Sequence, residues 1–261
     1  AVPHGTTVQM SPIRAAVPTE VTCGCSCDAQ PKGGVGKSTL TMNLAAVKAD
    51  VLTAATAGAD DDVQSPVAAI SVDPQGSAVW WASRVEELPF LIDQVHDNLD
   101  VLRNLDKLPG IKHVYVDTPG WIDLSGADDG TDVLGTGSSA DALRAVLEVA
   151  DLVIVPIEPE PLCFDPTART IKQVIEPLGK NFIVVVNNWD PRDGKVDLEQ
   201  TREFVQANGW PLARTVVRHY KVHTRAAAEG RVVTEYEASR VSLQAREDFY
   251  KLSLELADGG R

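Results

Sequence analysis

Lys32-Gly33-Gly34-Val35-Gly36-Lys37-Ser38-Thr39 is the stretch that decides the fold. Its glycines let the backbone turn tightly and aim successive N–H groups at an anion. The helical pattern that follows, Ser38–Ala46, adds the positive end of its dipole. Lys37 supplies a mobile cation for β- and γ-phosphates, and the Ser38 hydroxyl can bind Mg²⁺. A surface turn rich in glycine could carry lysines by chance. Here the glycine spacing, the Lys-Ser pair and the flanking elements all agree on a phosphate cradle, which brings Val35 and Thr39 into the nucleotide-contact set.

Working outward, short apolar runs alternate with helical patterns, the mark of a parallel sheet with crossover helices. The strand candidates are Val21–Cys27, Val67–Val72, His113–Asp117, Leu152–Ile157, Phe182–Asn187 and Thr215–Arg218. Several are apolar throughout, as expected of strands covered on both faces. The fold class is therefore α/β, a mostly parallel twisted sheet with helices on both faces. Leu143, Val146, Leu147 and Ala150 lie at helical spacing behind a box-like Ser138 to Asp141. Val241, Ala245, Phe249, Leu252 and Leu256 form a C-terminal apolar stripe for the core. Residues 1–20 read as a flexible arm and 21–261 as a single domain. Segments 53–66 and 125–139 read as loops; the Asp60-Asp61-Asp62 run in the first is a solvated turn rather than a cation site.

Two acids stand where such a sheet places its ligand, beyond the carboxyl ends of the strands. Val72-Asp73-Pro74-Gln75-Gly76 ends the second strand candidate, and a carboxylate there can orient an attacking water or hold the Mg²⁺ shell. Val114-Tyr115-Val116-Asp117-Thr118-Pro119-Gly120 is an apolar strand ending in an acid, which puts Asp117 near the metal. Gly120 can give the loop after it a hinge.

The phosphate loop departs from the general P-loop pattern by carrying Pro31 where glycine is usual and a second lysine at Lys32. In this it resembles the deviant Walker A loop of the ParA/MinD ATPases, and within them the small DNA-partition type. The resemblance runs from about Cys23 to about Leu256. It implies ATP and Mg²⁺ as cofactors, ATP hydrolysis and a homodimer formed with ATP, in which Lys32 reaches the partner's phosphates. Asp-Pro-Gln-Gly at 73–76 resembles the family's first switch and Thr-Pro-Gly at 118–120 its second. Many relatives have another Asp where this chain has Ser71, which alters the expected metal shell. Catalytic roles thus fall to Lys32, Lys37, Asp73 and Asp117. The nucleotide contacts run over Lys32, Gly33, Gly34, Val35, Gly36, Lys37, Ser38 and Thr39, with Asn187 or Asn188 at the adenine edge. Ser38, Asp73 and Asp117 are the metal set. The relatives bind DNA without sequence preference, and a ParB-type centromere-binding protein triggers their hydrolysis and release.

Composition narrows the alternatives. With 44% hydrophobic and 23% charged residues the chain can bury a core. It has no apolar run long enough to span a membrane, and no secretory signal is expected. The net charge of −13 argues against a chain coated in nucleic acid but permits a local basic face. Thr201–Lys251 holds nine Lys or Arg against six acids. Combined with the resemblance, this nominates Arg218, Lys221, Arg225 and Arg240 for DNA. A MinD-type membrane cycle needs a basic amphipathic C-terminal anchor, and Leu-Glu-Leu-Ala-Asp-Gly-Gly-Arg does not provide one. An iron–sulfur enzyme with a similar loop needs bridging cysteines; Cys23, Cys25 and Cys27 alternate as in a buried strand, and Cys163 stands alone. The expected setting is cytoplasmic and nucleoid-associated.

Overall fold

Apolar runs of about five residues form the strands of a sheet buried on both faces. The computed structural model describes residues 20–24, 35–55, 64–119 and 134–257, with only the backbone at 23 and 24. The strands are β1 (Glu20–Gly24), β2 (Val67–Ser71), β3 (Leu91–Gln94), β4 (His113–Asp117), β5 (Leu152–Ile157) and β6 (Phe182–Val186). They form one six-stranded sheet in the order β3-β2-β4-β1-β5-β6, with every pairing parallel. The helices are α1 (Lys37–Ala55), α2 (Ser77–Ala82), α3 (Leu99–Leu102), α4 (Ser138–Val149), α5 (Phe164–Thr170), α6 (Val196–Ala207), α7 (Lys221–Glu229) and α8 (Arg240–Ala257).

Strand alternation divides the apolar side chains between two cores. Val114, Val116, Val153 and Val155 face α4 and α6 on one side. Ala69, Tyr115, Ile154 and Val185 face α1, α2, α7 and α8 on the other. Phe249 and Leu252 of α8 are fully buried there, each stabilising the fold by about 1.5–3 kcal/mol relative to exposure. The connection from β1 runs toward β2 and that from β5 toward β6, so the switch point of the topology lies beside β1, where an open α/β sheet binds its ligand.

Several expectations change in detail. The first strand spans Glu20–Gly24; Cys25 and Cys27 lie outside the described residues, as do 1–19 of the arm. Helix α1 continues to Ala55, so 53–55 of the expected loop are helical, and 56–63 lie outside the described residues. Ser138 is the first helical residue of α4 and Gly137 its N-cap, without a side-chain cap bond; Asp141 pairs with Arg144 at 2.8 Å instead of closing a box. Val241 is exposed, while Ala245, Phe249, Leu252 and Leu256 are buried.

The segment 212–218, which contains the expected strand Thr215–Arg218, runs beside β6 but makes only isolated bridges, Val184↔Leu212 and Trp189↔Arg218. Ala213 N–H donates to Val184 and Val217 N–H to Val186, so four residues of the outer segment span two of β6. The Thr215 N–H between them goes to Glu255 of α8 at 3.0 Å. A carboxylate from the helix above thus takes a ladder donor and bulges the segment.

Candidate functional site

The described part of the phosphate loop begins at Val35; Lys32, Gly33 and Gly34 lie outside it, as does Gly120. Gly36 has φ +83°, and a Cβ there would stand 2.5 Å from the Asn187 amide nitrogen. Only glycine combines that backbone with that approach. Asn187, 5% exposed at the end of β6, donates its side-chain N–H to the Val35 carbonyl at 2.6 Å. Its amide therefore supports the loop from beneath. Asn188, with φ +62°, is exposed; its amide donates to Glu158 at 2.8 Å and its carbonyl lies 2.5 Å from His219 Nδ1.

Lys37 and Ser38 open α1, at the positive end of its dipole. Ser38 Oγ–H donates to Asp117 Oδ2 at 2.8 Å. Asp117 closes β4 and is 1% exposed. Its second oxygen, Oδ1, is buried and has no hydrogen-bond partner among the described residues. Burial pushes the Asp117 carboxyl up to about 6; the Ser38 hydroxyl and the Lys37 charge oppose that, and Asp73 reinforces it. A hydroxyl beside a carboxylate with one bare oxygen is a hard, all-oxygen donor set, which suits Mg²⁺.

Asp73 is 8% exposed. Its Oδ1 accepts from Gln75 N–H at 2.9 Å. Gln94 donates to the Asp73 carbonyl at 3.0 Å. Sequence reasoning missed Gln94, which lies on the short edge strand β3 and carries no local signal. Asn43 is a second residue it missed: inside α1, it accepts from Val233 N–H at 2.8 Å and ties the helix behind the phosphate loop to the segment after α7.

The nine basic residues of 201–251 divide by partner. Arg202, Arg214, Arg218, Arg231 and Lys251 each pair with an acid. Arg246 donates to the carbonyls of Val233 and Tyr236. Lys221, Arg225 and Arg240 are exposed and form no ion pair among the described residues. Arg218 is locked to Asp248, Nη2 to Oδ1 at 2.6 Å and Nε to Oδ2 at 2.9 Å, so its charge is neutralised inside the fold. That leaves Lys221 and Arg225, one turn apart on α7, and Arg240 as the cations free for a phosphate.

A glycine-bearing loop at the switch point of a parallel sheet, with Lys37, Ser38 and Asp117 gathered behind it, defines a nucleotide-binding α/β domain. The chain belongs to the CobQ/CobB/MinD/ParA nucleotide-binding domain family, whose model matches residues 29–233. It is 31% identical over 226 residues to the maintenance of carboxysome distribution protein A of Gloeobacter kilaueensis, covering 86% of this chain and 90% of that protein. Its fold is similar to the MinD cell division protein of Aquifex aeolicus, with a TM-score of 0.62 at 16% identity over 92% of this chain and 98% of that one. It is similar also to an ATP complex of a McdA variant from Cyanothece, with a TM-score of 0.59 at 13% identity over 92% and 96%. No helix of the described residues is long and apolar enough to cross a membrane.

Proposed function

We propose that the chain is an ATP- and Mg²⁺-dependent dimerising switch that grips DNA without sequence preference in its ATP state and lets go after hydrolysis, so as to distribute a cargo over the nucleoid. The observation that carries this is the 31% identity across 90% of a carboxysome distribution protein. The site supports it with Ser38 and Asp117 joined at the metal corner. In this reading Lys37 and the loop N–H groups hold the β- and γ-phosphates. Ser38 and Asp117 hold Mg²⁺, and Asp73 orients the attacking water. Lys32 reaches the partner subunit's phosphates, and Asn188 lies toward the base. Lys221, Arg225 and Arg240 meet DNA phosphates, and a two-fold dimer doubles that set.

The cargo is either a replicon, through a ParB-type partner, or a protein body, as the name of the carboxysome relative suggests. A MinD-like membrane cycle is the competing class, and a vesicle-binding assay separates it. The direct test is a salt titration on random-sequence duplex with ATP, ADP or no nucleotide. Binding should require ATP and weaken steeply with salt, because each phosphate contact releases counterions. Equal binding in the three states refutes the switch.

A further inference from the structure

The carboxyl ends of β2 and β4 hold two buried oxygens that meet no hydrogen-bond partner among the described residues, Ser71 Oγ and Asp117 Oδ1. Both residues are 1% exposed. They lie opposite one another in register across the two strands. Alternation turns both toward α1: Ala69 and Tyr115, two positions earlier on each strand, pack in the core that α1 covers, and Asp117 meets Ser38 in the first turn of that helix. A buried hydroxyl left without a partner costs about 1–3 kcal/mol. The rest of β2 is Val67, Ala68, Ala69 and Ile70, so packing alone is served by an apolar residue at 71.

We propose that Ser71 is a positioning residue for the divalent cation of the bound nucleotide, its hydroxyl and Asp117 Oδ1 together receiving a water that the cation carries. This rests on the reading of the site as a Mg²⁺–nucleotide cradle. Ser71 acts through that water and through Asp117, and touches no reacting atom. Its neutrality matters because Asp117 and Asp73 already bring two carboxylates into the corner, 1% and 8% exposed. A third charge would add like-charge repulsion to the nucleotide-free state; a hydroxyl offers an acceptor without it.

The test uses the full chain and a fluorescent ATP analogue. Nucleotide affinity is measured in excess EDTA and across a Mg²⁺ titration, with melting of the ligand-free protein alongside, for wild type, Ser71→Ala and Ser71→Thr. Ser71→Ala should melt at or above the wild-type temperature without ligand, since a buried hydroxyl with no partner among the described residues is gone. It should bind nucleotide in EDTA within about twofold of wild type. It should need about tenfold more Mg²⁺ for half-maximal enhancement, the order seen when a group supporting a metal from behind its ligands is lost. Ser71→Thr should restore the wild-type requirement. An unchanged Mg²⁺ requirement in Ser71→Ala overturns the assignment, and a lower ligand-free melting temperature with it makes Ser71 structural. Wild-type protein that binds no nucleotide in Mg²⁺ refutes instead the cradle on which the assignment rests.

Discussion

Removing Arg218 should destabilise the fold rather than report on DNA contacts. The side chain donates to Asp248 from Nη2 at 2.6 Å and Nε at 2.9 Å, and to the Gln244 carbonyl at 3.2 Å. Asp248 is 4% exposed. In Arg218→Ala, among the described residues, it keeps only the residue 218 N–H, which donates at 3.1 Å, and its carboxylate loses its counter-charge. Stripping one partner from a buried pair costs about 3–5 kcal/mol. The Arg218 side chain is 21% exposed, and solvent screening reduces the loss to about 2–4 kcal/mol. For a domain of this size that is a fall in Tm of about 5–12 °C. Lys221→Ala and Arg225→Ala remove exposed cations that form no ion pair among the described residues, and should stay within about 0.5 kcal/mol of wild type. The assay is thermal melting by circular dichroism, followed by DNA titration in ATP well below the lowest Tm. The α7 variants should bind more weakly with a shallower salt slope, by about one unit per lost contact. Arg218→Ala melting within about 1 °C of wild type refutes the clamp.

Other perturbations read other parts of the structure. His223 lies with Nδ1 2.9 Å from the Tyr236 hydroxyl, and burial pushes its pKa down to about 4, with His219 adding to the effect. The unfolded chain binds the proton more readily, so stability is full above about pH 6.5 and falls toward pH 4, by up to about 3 kcal/mol; His223→Phe should flatten this acid limb in melts taken across pH. Gly230 has φ +68°, and a Cβ there would stand 1.8 Å from the Arg84 carbonyl oxygen. Gly230→Ala should cost about 3 kcal/mol or more, from left-handed strain plus forced backbone movement, seen as a lower urea midpoint. Asn187→Ala removes the bond to Val35 and should cost about 1 kcal/mol of stability; nucleotide affinity, read by calorimetry, should fall several-fold because the loop loses its support.

The sequence makes the phosphate loop and both acids legible because each is constrained locally. Glycine spacing, a Lys-Ser pair and an apolar strand ending in Asp117 need no distant partner to be recognised. What stays hidden depends on residues far apart in the chain. The charge count over 201–251 does not separate Arg218 from Lys221, since the difference is made by Asp248, thirty residues on. The break in the 215–218 segment likewise comes from Glu255 reaching back to the Thr215 backbone. β3 escapes notice because Leu-Ile-Asp-Gln is short, partly exposed and on the sheet edge. Asn187 is singled out in the sequence for the adenine edge, whereas its bond to Val35 depends on how β6 abuts the loop.

The central claim is that Lys37, Ser38 and Asp117 form a cradle for Mg²⁺–ATP. Equilibrium binding of ATP to wild type and Lys37→Ala, each with and without Mg²⁺, tests it most directly. The account predicts Mg²⁺-enhanced binding in wild type and a loss of at least about thirtyfold in the variant at unchanged Tm. Binding by Lys37→Ala within about threefold of wild type contradicts it.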